Sequence, residues 1–387
     1  MRRQGWAERT RSIQAFHVMS VLARAKALES QGHDVIHMEI GEPDFASPAP
    51  IVRAGRAALA NGHTGYTPAL GLPALREAIA ASYGERYGVD LDPGRVVVTP
   101  GGSAALLLIA SLLVDPGQAV LMADPSYPCN RNFLGLLGAH ARMIPTGPQS
   151  AYQLTPSLIE SHWDEHCSMV LAASPSNPTG TLLDRQQLQA MADTTRRLGG
   201  HLVVDEIYHG LTYDCQASSV LEVADDAFVL NSFSKYFGMT GWRLGWLIAP
   251  PDAIPELEKL AQNLYICAPH MAQLAALAAF EEETRAICEE RRLAFQARRD
   301  FLLPALRDLG FAIPVTPQGA FYLYADIRKF SDDGSALCRQ LLERQHLAIT
   351  PGLDFGDYRQ HEHVRFAYTA SLDRLAQAVD RLDRELR

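Results

Sequence analysis

Five short runs rich in β-branched residues and leucine recur along the first two thirds of the chain, at 96–99, 119–122, 168–173, 201–204 and 228–230, with helical stretches between them. Runs without polar alternation need cover on both faces. Strands that alternate with helices indicate a mainly parallel sheet flanked by helices, an α/β fold. Each run also ends in a polar cluster. Thr99 leads to Gly101-Gly-Ser103, Met122 to Asp124-Pro-Ser-Tyr127, Ala173 to Pro175-Ser-Asn177-Pro-Thr-Gly180, Val204 to Asp205-Glu-Ile-Tyr208, and Leu230 to Ser232-Phe-Ser-Lys235. In open α/β sheets ligands bind beyond the C-terminal ends of the strands. Five segments converging there constrain the chain more than any single motif.

The flanks read differently. Residues 12–31 show an apolar face at helical spacing (Val18, Val21, Leu22, Ala25, Leu28) that stops at Gly32. A short strand is expected at 35–40, before the turn-rich Gly41-Glu-Pro-Asp-Phe-Ala-Ser-Pro, and an amphipathic helix at 73–87. From about Ala286 the texture changes to a charged helix around 289–300, a strand at 319–324, a further helical stretch, a turn-ended run at 347–352 and a strand at 364–368. This reads as a smaller α+β domain over 286–387, with a large domain over 43–285 and an N-terminal segment, 1–42, packing with the small one.

With 387 residues the chain is comfortable as two domains. Its 35 Lys and Arg against 44 Asp and Glu give a formal net charge of −9, which opposes binding to nucleic acid or anionic membrane surfaces. The basic start, Met1-Arg-Arg-Gln-Gly-Trp, has no apolar stretch behind it and is no secretory signal, and no run is long enough to span a bilayer. Six scattered cysteines without C-x-x-C spacing read as free thiols in a reducing cytoplasm, with no metal site. His361-Glu-His363, before the last strand, reads as a solvated turn.

The segment Ser232-Phe-Ser-Lys235-Tyr-Phe-Gly-Met-Thr-Gly-Trp-Arg243 carries the most chemistry. Lysine beside a buried strand is costly unless it is paired or reactive. A lysine amine that forms a Schiff base with an aldehyde, beside two hydroxyls and a guanidinium that hold a phosphate, suits pyridoxal 5'-phosphate. Taken alone, the segment also reads as a surface Ser/Lys loop.

The rest of the chain resembles the class I/II aminotransferases, pyridoxal-phosphate enzymes of fold type I. The matching residues are Gly41-Glu-Pro-Asp-Phe45, Ser176-Asn-Pro-Thr-Gly180, Asp205-Glu-Ile-Tyr208, Ser232-Phe-Ser-Lys235, Gly241-Trp-Arg-Leu-Gly245, Gly319-Ala-Phe-Tyr322 and Val364-Arg365-Phe, in the family's order and over nearly the whole chain. The resemblance implies a seven-stranded sheet in the large domain. It implies that Lys235 holds the cofactor and later moves a proton, that Asp205 faces the ring nitrogen, and that Tyr208 and Asn177 bond the ring's phenolic oxygen. The phosphate falls to Gly102, Ser103 and Ala104 at a helix start, with Ser232, Ser234 and Arg243. Tyr127 matches the residue that stacks on the ring, although a core tyrosine reads the same way. Tyr66, in Gly65-Tyr-Thr-Pro, matches a residue that reaches the phosphate from the partner subunit, which implies a homodimer. Arg365 matches the arginine that pairs with the substrate α-carboxylate, approached also by the Gly41 backbone.

The implied reaction is amino transfer between an L-amino acid and a 2-oxo acid, in a ping-pong cycle between pyridoxal and pyridoxamine phosphate. A β-lyase acting on carbon–sulfur bonds shares the same lysine loop and is the alternative. A regulatory module that keeps the fold would carry an added DNA-binding segment, which the negative charge disfavours. Candidates for side-chain selectivity are Phe16, His17, Val18, Met19, Ile40, Tyr265 and Tyr322. The stretch Gln14-Ala-Phe-His-Val-Met19 lacks the proline-serine pair of the nearest family branch, which puts aspartate specificity in doubt, and its apolar residues hint at a neutral or aromatic substrate.

Overall fold

The computed structural model describes residues 5–7, 9–13 and 15–386; the first four residues of the basic start lie outside them. In chain order the strands are β1 (Ile36–His37), β2 (Val96–Thr99), β3 (Ala119–Asp124), β4 (His140–Pro145), β5 (Cys167–Ala173), β6 (His201–Asp205), β7 (Phe228–Ser232), β8 (Gly245–Ile248), β9 (Tyr322–Asp326), β10 (Leu347–Ala348), β11 (Thr350–Pro351) and β12 (His363–Ala367). A seven-stranded sheet runs in the order β2-β8-β7-β6-β5-β3-β4. Only β8 is antiparallel to its neighbours, so β2 and β7 on either side of it point the same way.

The absence of polar alternation in the strands has a direct counterpart in the packing. Val96, Val98, Leu121, Val170, Ala172 and Val204 face one core. Val97, Val120, Met122, Met169, Leu171 and Val203 face the other. Successive strand side chains point to opposite faces, and both faces here are covered. The almost wholly apolar helix Gly102–Leu113 packs between the sheet and the helix Ile254–Leu264. Two strands escape the reading by hydropathy. β4 is a partly exposed edge strand with a mixed sequence, and β8 is only four residues long and begins at Gly245.

A second, antiparallel sheet has the order β11-β12-β9 and places Arg365 between Thr350 and Tyr324. The charged helix near its start is longer than the 289–300 stretch, running Glu282–Leu309. His363 is no solvated turn residue: it begins β12, is buried and stacks on Tyr324 with ring centroids 4.7 Å apart.

The N-terminal region departs most from expectation. The helix expected at 12–31 is His17–Ser30, and its start is held from outside by the Asp354 carboxylate. Its Ala25 and Leu28 bury against Leu342 and Ala348. Of the strand expected at 35–40, only β1 pairs, in parallel with β10. Met38 still bonds to backbone, its N–H to the Ala348 carbonyl and its carbonyl to the Ala367 N–H, and beyond it the Glu39 and Gly41 carbonyls are claimed by side chains. The Glu39 carbonyl accepts from Arg365 and Thr350, and the Gly41 carbonyl from Lys235. A strand cannot continue where its acceptors are spent on side chains.

Candidate active site

The C-terminal ends of β2, β5, β6 and β7 open on one cavity of about 540 Å³. Lys235, Asp205, Tyr208, Asn177, Tyr127, Gly102, Ser103, Ser234, Arg243, Gly41 and Arg365 all line it. Ala104 and Ser232 do not line it. The Ser232 hydroxyl, at the end of β7, donates to the Leu244 carbonyl at 3.1 Å, accepts from the Ser234 N–H at 3.0 Å and lies 2.9 Å from Ser234 Oγ. Tyr66 does not reach the cavity. It is 81% exposed on the surface of this chain.

Lys235 donates from Nζ to the Gly41 carbonyl at 2.6 Å. Burial pulls its ammonium down from the ordinary 10.5 to about 8, against the opposing field of the Glu42 carboxylate. Asp205 ends β6 and accepts one hydrogen bond, from the Ile207 N–H at 3.0 Å. Burial pushes its carboxyl up from 3.8 to about 7, a shift that the Ile207 donor and the Lys235 charge only partly offset. Its neighbour Glu206 is also buried but is enclosed by protein donors, the Ser219 hydroxyl at 2.9 Å and the Val220 N–H at 2.9 Å. The contrast sets the two carboxylates apart. Glu206 is satisfied internally, whereas Asp205 faces the cavity with room for a further donor.

Opposite the lysine, Arg365 is 3% exposed. Nη1 donates to Asn177 Oδ1 at 2.9 Å, Nη2 to the Glu39 carbonyl and Thr350 Oγ1, and buried Nε has no partner. The guanidinium lies over the rings of Tyr322 and Phe355, 4.3 and 4.8 Å from their centroids. No carboxylate among the described residues pairs with it, so a buried cation faces the cavity without a counter-ion. The Tyr208 and Tyr322 hydroxyls share a 2.8 Å hydrogen bond, and burial raises both phenols.

At the other end of the cavity the helix Gly102–Leu113 starts with no side-chain cap. Its first N–H groups lack intrahelical acceptors, which makes an anion site when a second cationic group is near. Arg243 is that group. A Cβ on Gly101, whose φ is +84°, would lie 2.6 Å from Arg243 Nη2, so the guanidinium occupies the space a side chain would fill. Gly245 is needed for the same close approach, since a Cβ there would lie 2.8 Å from the Gly102 nitrogen.

The cavity's third wall is apolar. Phe16, and Val18, Met19 and Leu22 of the helix His17–Ser30, share this wall with Ile40 and Tyr322. Tyr265 is not among them. It is half-buried just after the helix Ile254–Leu264, packs against the core that holds Val97 and Val203, and donates its N–H to the Ala261 carbonyl at 3.1 Å. His17 contributes its backbone to Asp354 and does not line the cavity. Glu42, Thr240, Asn130, Phe133 and Leu22 line it without having been singled out. Leu22 follows Val18 by four residues and so shares its helix face, and Asn130 follows Tyr127 within a single turn, so local spacing held a signal for both.

These residues fit one group: an aldehyde for Lys235, a protonated ring nitrogen for Asp205 and a phosphate for the Gly101–Ser103 turn. The family profile described as Aminotransferase class I and II matches residues 33–382. A protein of Mycobacterium tuberculosis named valine--pyruvate aminotransferase is 39% identical, over 96% of each chain. A (5-formylfuran-3-yl)methyl phosphate transaminase of Methanocaldococcus jannaschii is 35% identical, over 97% of this chain and 98% of the other. The crystal structure of an aminotransferase from Mycobacterium tuberculosis superposes with a TM-score of 0.96 at 37% identity, over 99% of each chain. The chain therefore belongs to the class I and II aminotransferase family and is an enzyme of transaminase type.

Proposed function

We propose that the cavity binds pyridoxal 5'-phosphate and that the enzyme moves an amino group between a neutral L-amino acid and a 2-oxo acid in a ping-pong cycle. One observation carries the reading: half-buried Lys235 and Asp205 and buried Arg365 share a cavity, and none of the three has an ion-pair partner among the described residues. When bound, the cofactor supplies an aldehyde that captures a primary amine and a ring that draws electrons from the substrate Cα.

The chain's own residues divide the remaining work. With its pKa near 8, the Lys235 amine would be neutral often enough at physiological pH to hold the cofactor by its aldehyde group and to move a proton at the substrate Cα. Asp205 accepts the hydrogen bond of the ring N–H and keeps that nitrogen protonated. Asn177 has its carbonyl oxygen engaged by Arg365, which leaves its amide N–H₂ to donate to the phenolic oxygen beside Tyr208. The N–H groups of Gly102, Ser103 and Ala104, with Ser232, Ser234 and Arg243, hold the phosphate. Tyr127 lies against the ring. Arg365 takes the α-carboxylate, beside the Gly41 backbone.

With Arg243 and Arg365 so engaged, the cavity wall offers no further arginine among the described residues to a side-chain carboxylate. The apolar wall of Phe16, Val18, Met19, Leu22 and Ile40 favours an aliphatic or aromatic side chain, in keeping with the valine-pyruvate activity named for the similar mycobacterial protein. The exposure of Tyr66 supports a homodimer in which that tyrosine serves the partner's phosphate site. Six free cysteines suit the reducing cytoplasm.

The test is a single half-reaction. Protein loaded with the cofactor receives individual amino acids without an acceptor, and the visible band is followed. Bleaching with stoichiometric release of 2-oxo acid, faster for valine, leucine, alanine and phenylalanine than for aspartate or glutamate, is expected. A band that persists while cystathionine yields pyruvate and thiol would make the enzyme a lyase.

A further inference from the structure

The apolar wall is built on a helix that does not cap itself. Phe16 precedes the helix His17–Ser30 in extended conformation, φ −74° and ψ 106°, and offers no side-chain hydrogen bond to it. A helix start leaves its first N–H groups without intrahelical acceptors. Two of them are satisfied here from the far end of the chain. The His17 N–H donates to Asp354 Oδ1 and the Val18 N–H to Oδ2, each at 2.8 Å. Asp354 is 1% exposed. A buried carboxylate bridging two adjacent amides fixes both the position and the rotation of the helix that follows.

The turn that carries Asp354 touches the other cavity walls as well. The Asp354 carbonyl accepts from Arg131 Nη2 at 3.3 Å, on the helix Pro128–Leu136 that lines the cavity through Asn130 and Phe133. The next residue, Phe355, accepts from the Ser126 N–H at 2.8 Å and stacks its ring under the Arg365 guanidinium. The same few residues thus hold the carboxylate-binding arginine and the first turn of the side-chain wall at a set spacing.

We propose that Asp354 is a positioning residue for donor selectivity: it fixes the start of the helix His17–Ser30 so that Phe16, Val18 and Met19 close on the substrate side chain while Arg365 holds its carboxylate. The inference rests on the placement of the side chain against that wall, given above. Each methylene buried against a fixed apolar wall is worth roughly fourfold in affinity. A wall free to shift forfeits that gain for large side chains and leaves alanine almost untouched.

Two variants test it. Asp354→Asn keeps one acceptor and turns an N–H₂ toward the other amide. His17→Pro removes one of the two donors without altering Asp354, at a first helical position where proline is tolerated and behind a residue already extended. In cofactor-loaded protein, both variants are expected to keep the wild-type KM and kcat for alanine within about twofold and to raise KM for leucine roughly tenfold at similar kcat. In cofactor-free protein, amide hydrogen exchange should quicken at residues 17–22 and little elsewhere. An unchanged leucine-to-alanine ratio in His17→Pro, or rapid exchange of the His17 and Val18 amides already in the wild type, overturns the proposal, even where Asp354→Asn fails to fold. A wild type without any preference for leucine over alanine instead removes the reading of the wall on which the proposal stands.

Discussion

Lys235 Nζ donates to the carbonyl of Gly41, 194 residues earlier in the chain, at 2.6 Å. The bond ties the cavity lysine to the segment leading from β1 into the cavity, and Gly41 is the residue that permits it. A Cβ at position 41 would lie 1.9 Å from the Tyr322 hydroxyl oxygen, which is bonded in turn to Tyr208. Gly41→Ala is therefore expected to destabilise the protein by about 1–3 kcal/mol through overpacking. It should also weaken cofactor binding, because Lys235 and Tyr208 are displaced together. Thermal melting and cofactor titration check both, and wild-type values in both would remove the close-approach argument.

Lys235→Ala takes away the only side-chain amine in the cavity wall among the described residues. The purified variant should lack the wild-type visible band and lose at least about 10²–10⁴-fold in turnover, the usual share of a proton-transferring group. An active variant that keeps the band would place the reactive lysine elsewhere.

The pH dependence of cofactor-free stability follows from two opposite shifts. Burial raises Asp205 from 3.8 to about 7, so the folded chain holds a proton that the unfolded chain has lost. That contribution is full below about pH 4 and is lost as the pH rises through 7. Burial lowers Lys235 from 10.5 to about 8, so its contribution is full above pH 10.5 and is lost as the pH falls through 8. Between them, these groups leave the cofactor-free protein least stable near pH 7–8. Asp205→Asn should flatten the melting-temperature profile between pH 4 and 7. A variant curve parallel to wild type would show that Asp205 titrates normally.

Arg365→Lys keeps the charge and loses the planar fork. A charge-assisted hydrogen bond is worth about 1.5–3 kcal/mol, so KM should rise roughly 10- to 100-fold. The rise should appear for amino donors and 2-oxo acceptors alike, since both present the same carboxylate. Steady-state kinetics with each substrate varied in turn decides it, and a rise confined to one side would mean that Arg365 recognises a side chain instead.

Tyr66 lies exposed on a chain whose cavity it does not line. If it completes the phosphate site of a partner, Tyr66→Phe should weaken cofactor binding roughly tenfold, the loss of one charge-assisted hydrogen bond. Mixing this variant with Lys235→Ala subunits should restore one intact site per hybrid dimer. A fully active monomer in sedimentation would contradict the shared site.

Which of these features the chain announces depends on how far apart their parts lie. The strand ends Thr99, Asp205 and Ser232 and the residues just after them are readable because the hydrophobic runs before them are local, and a parallel sheet delivers such ends to one edge. Lys235 and Arg243 stand out because charge beside a buried strand needs a reason. β4 and β8 are hard to read because an edge strand with mixed hydropathy and a four-residue strand beside a loop carry little pattern. The shortened β1 and the late start of the first helix were invisible for another reason. Both are set by side chains from distant segments, Arg365, Thr350 and Lys235 in one case and Asp354 in the other.

By itself the sequence determined the α/β class and the family, since both rest on runs and motifs whose residues lie close together in the chain. Tertiary structure alone decided the exclusion of Tyr265 and His17 from the cavity, the internal satisfaction of Glu206 beside a cavity-facing Asp205, and the bond from Asp354 to the first helix. Those outcomes depend on which hydrogen-bond donors and acceptors meet across hundreds of residues, and a buried polar group is settled by the partner it finds in space.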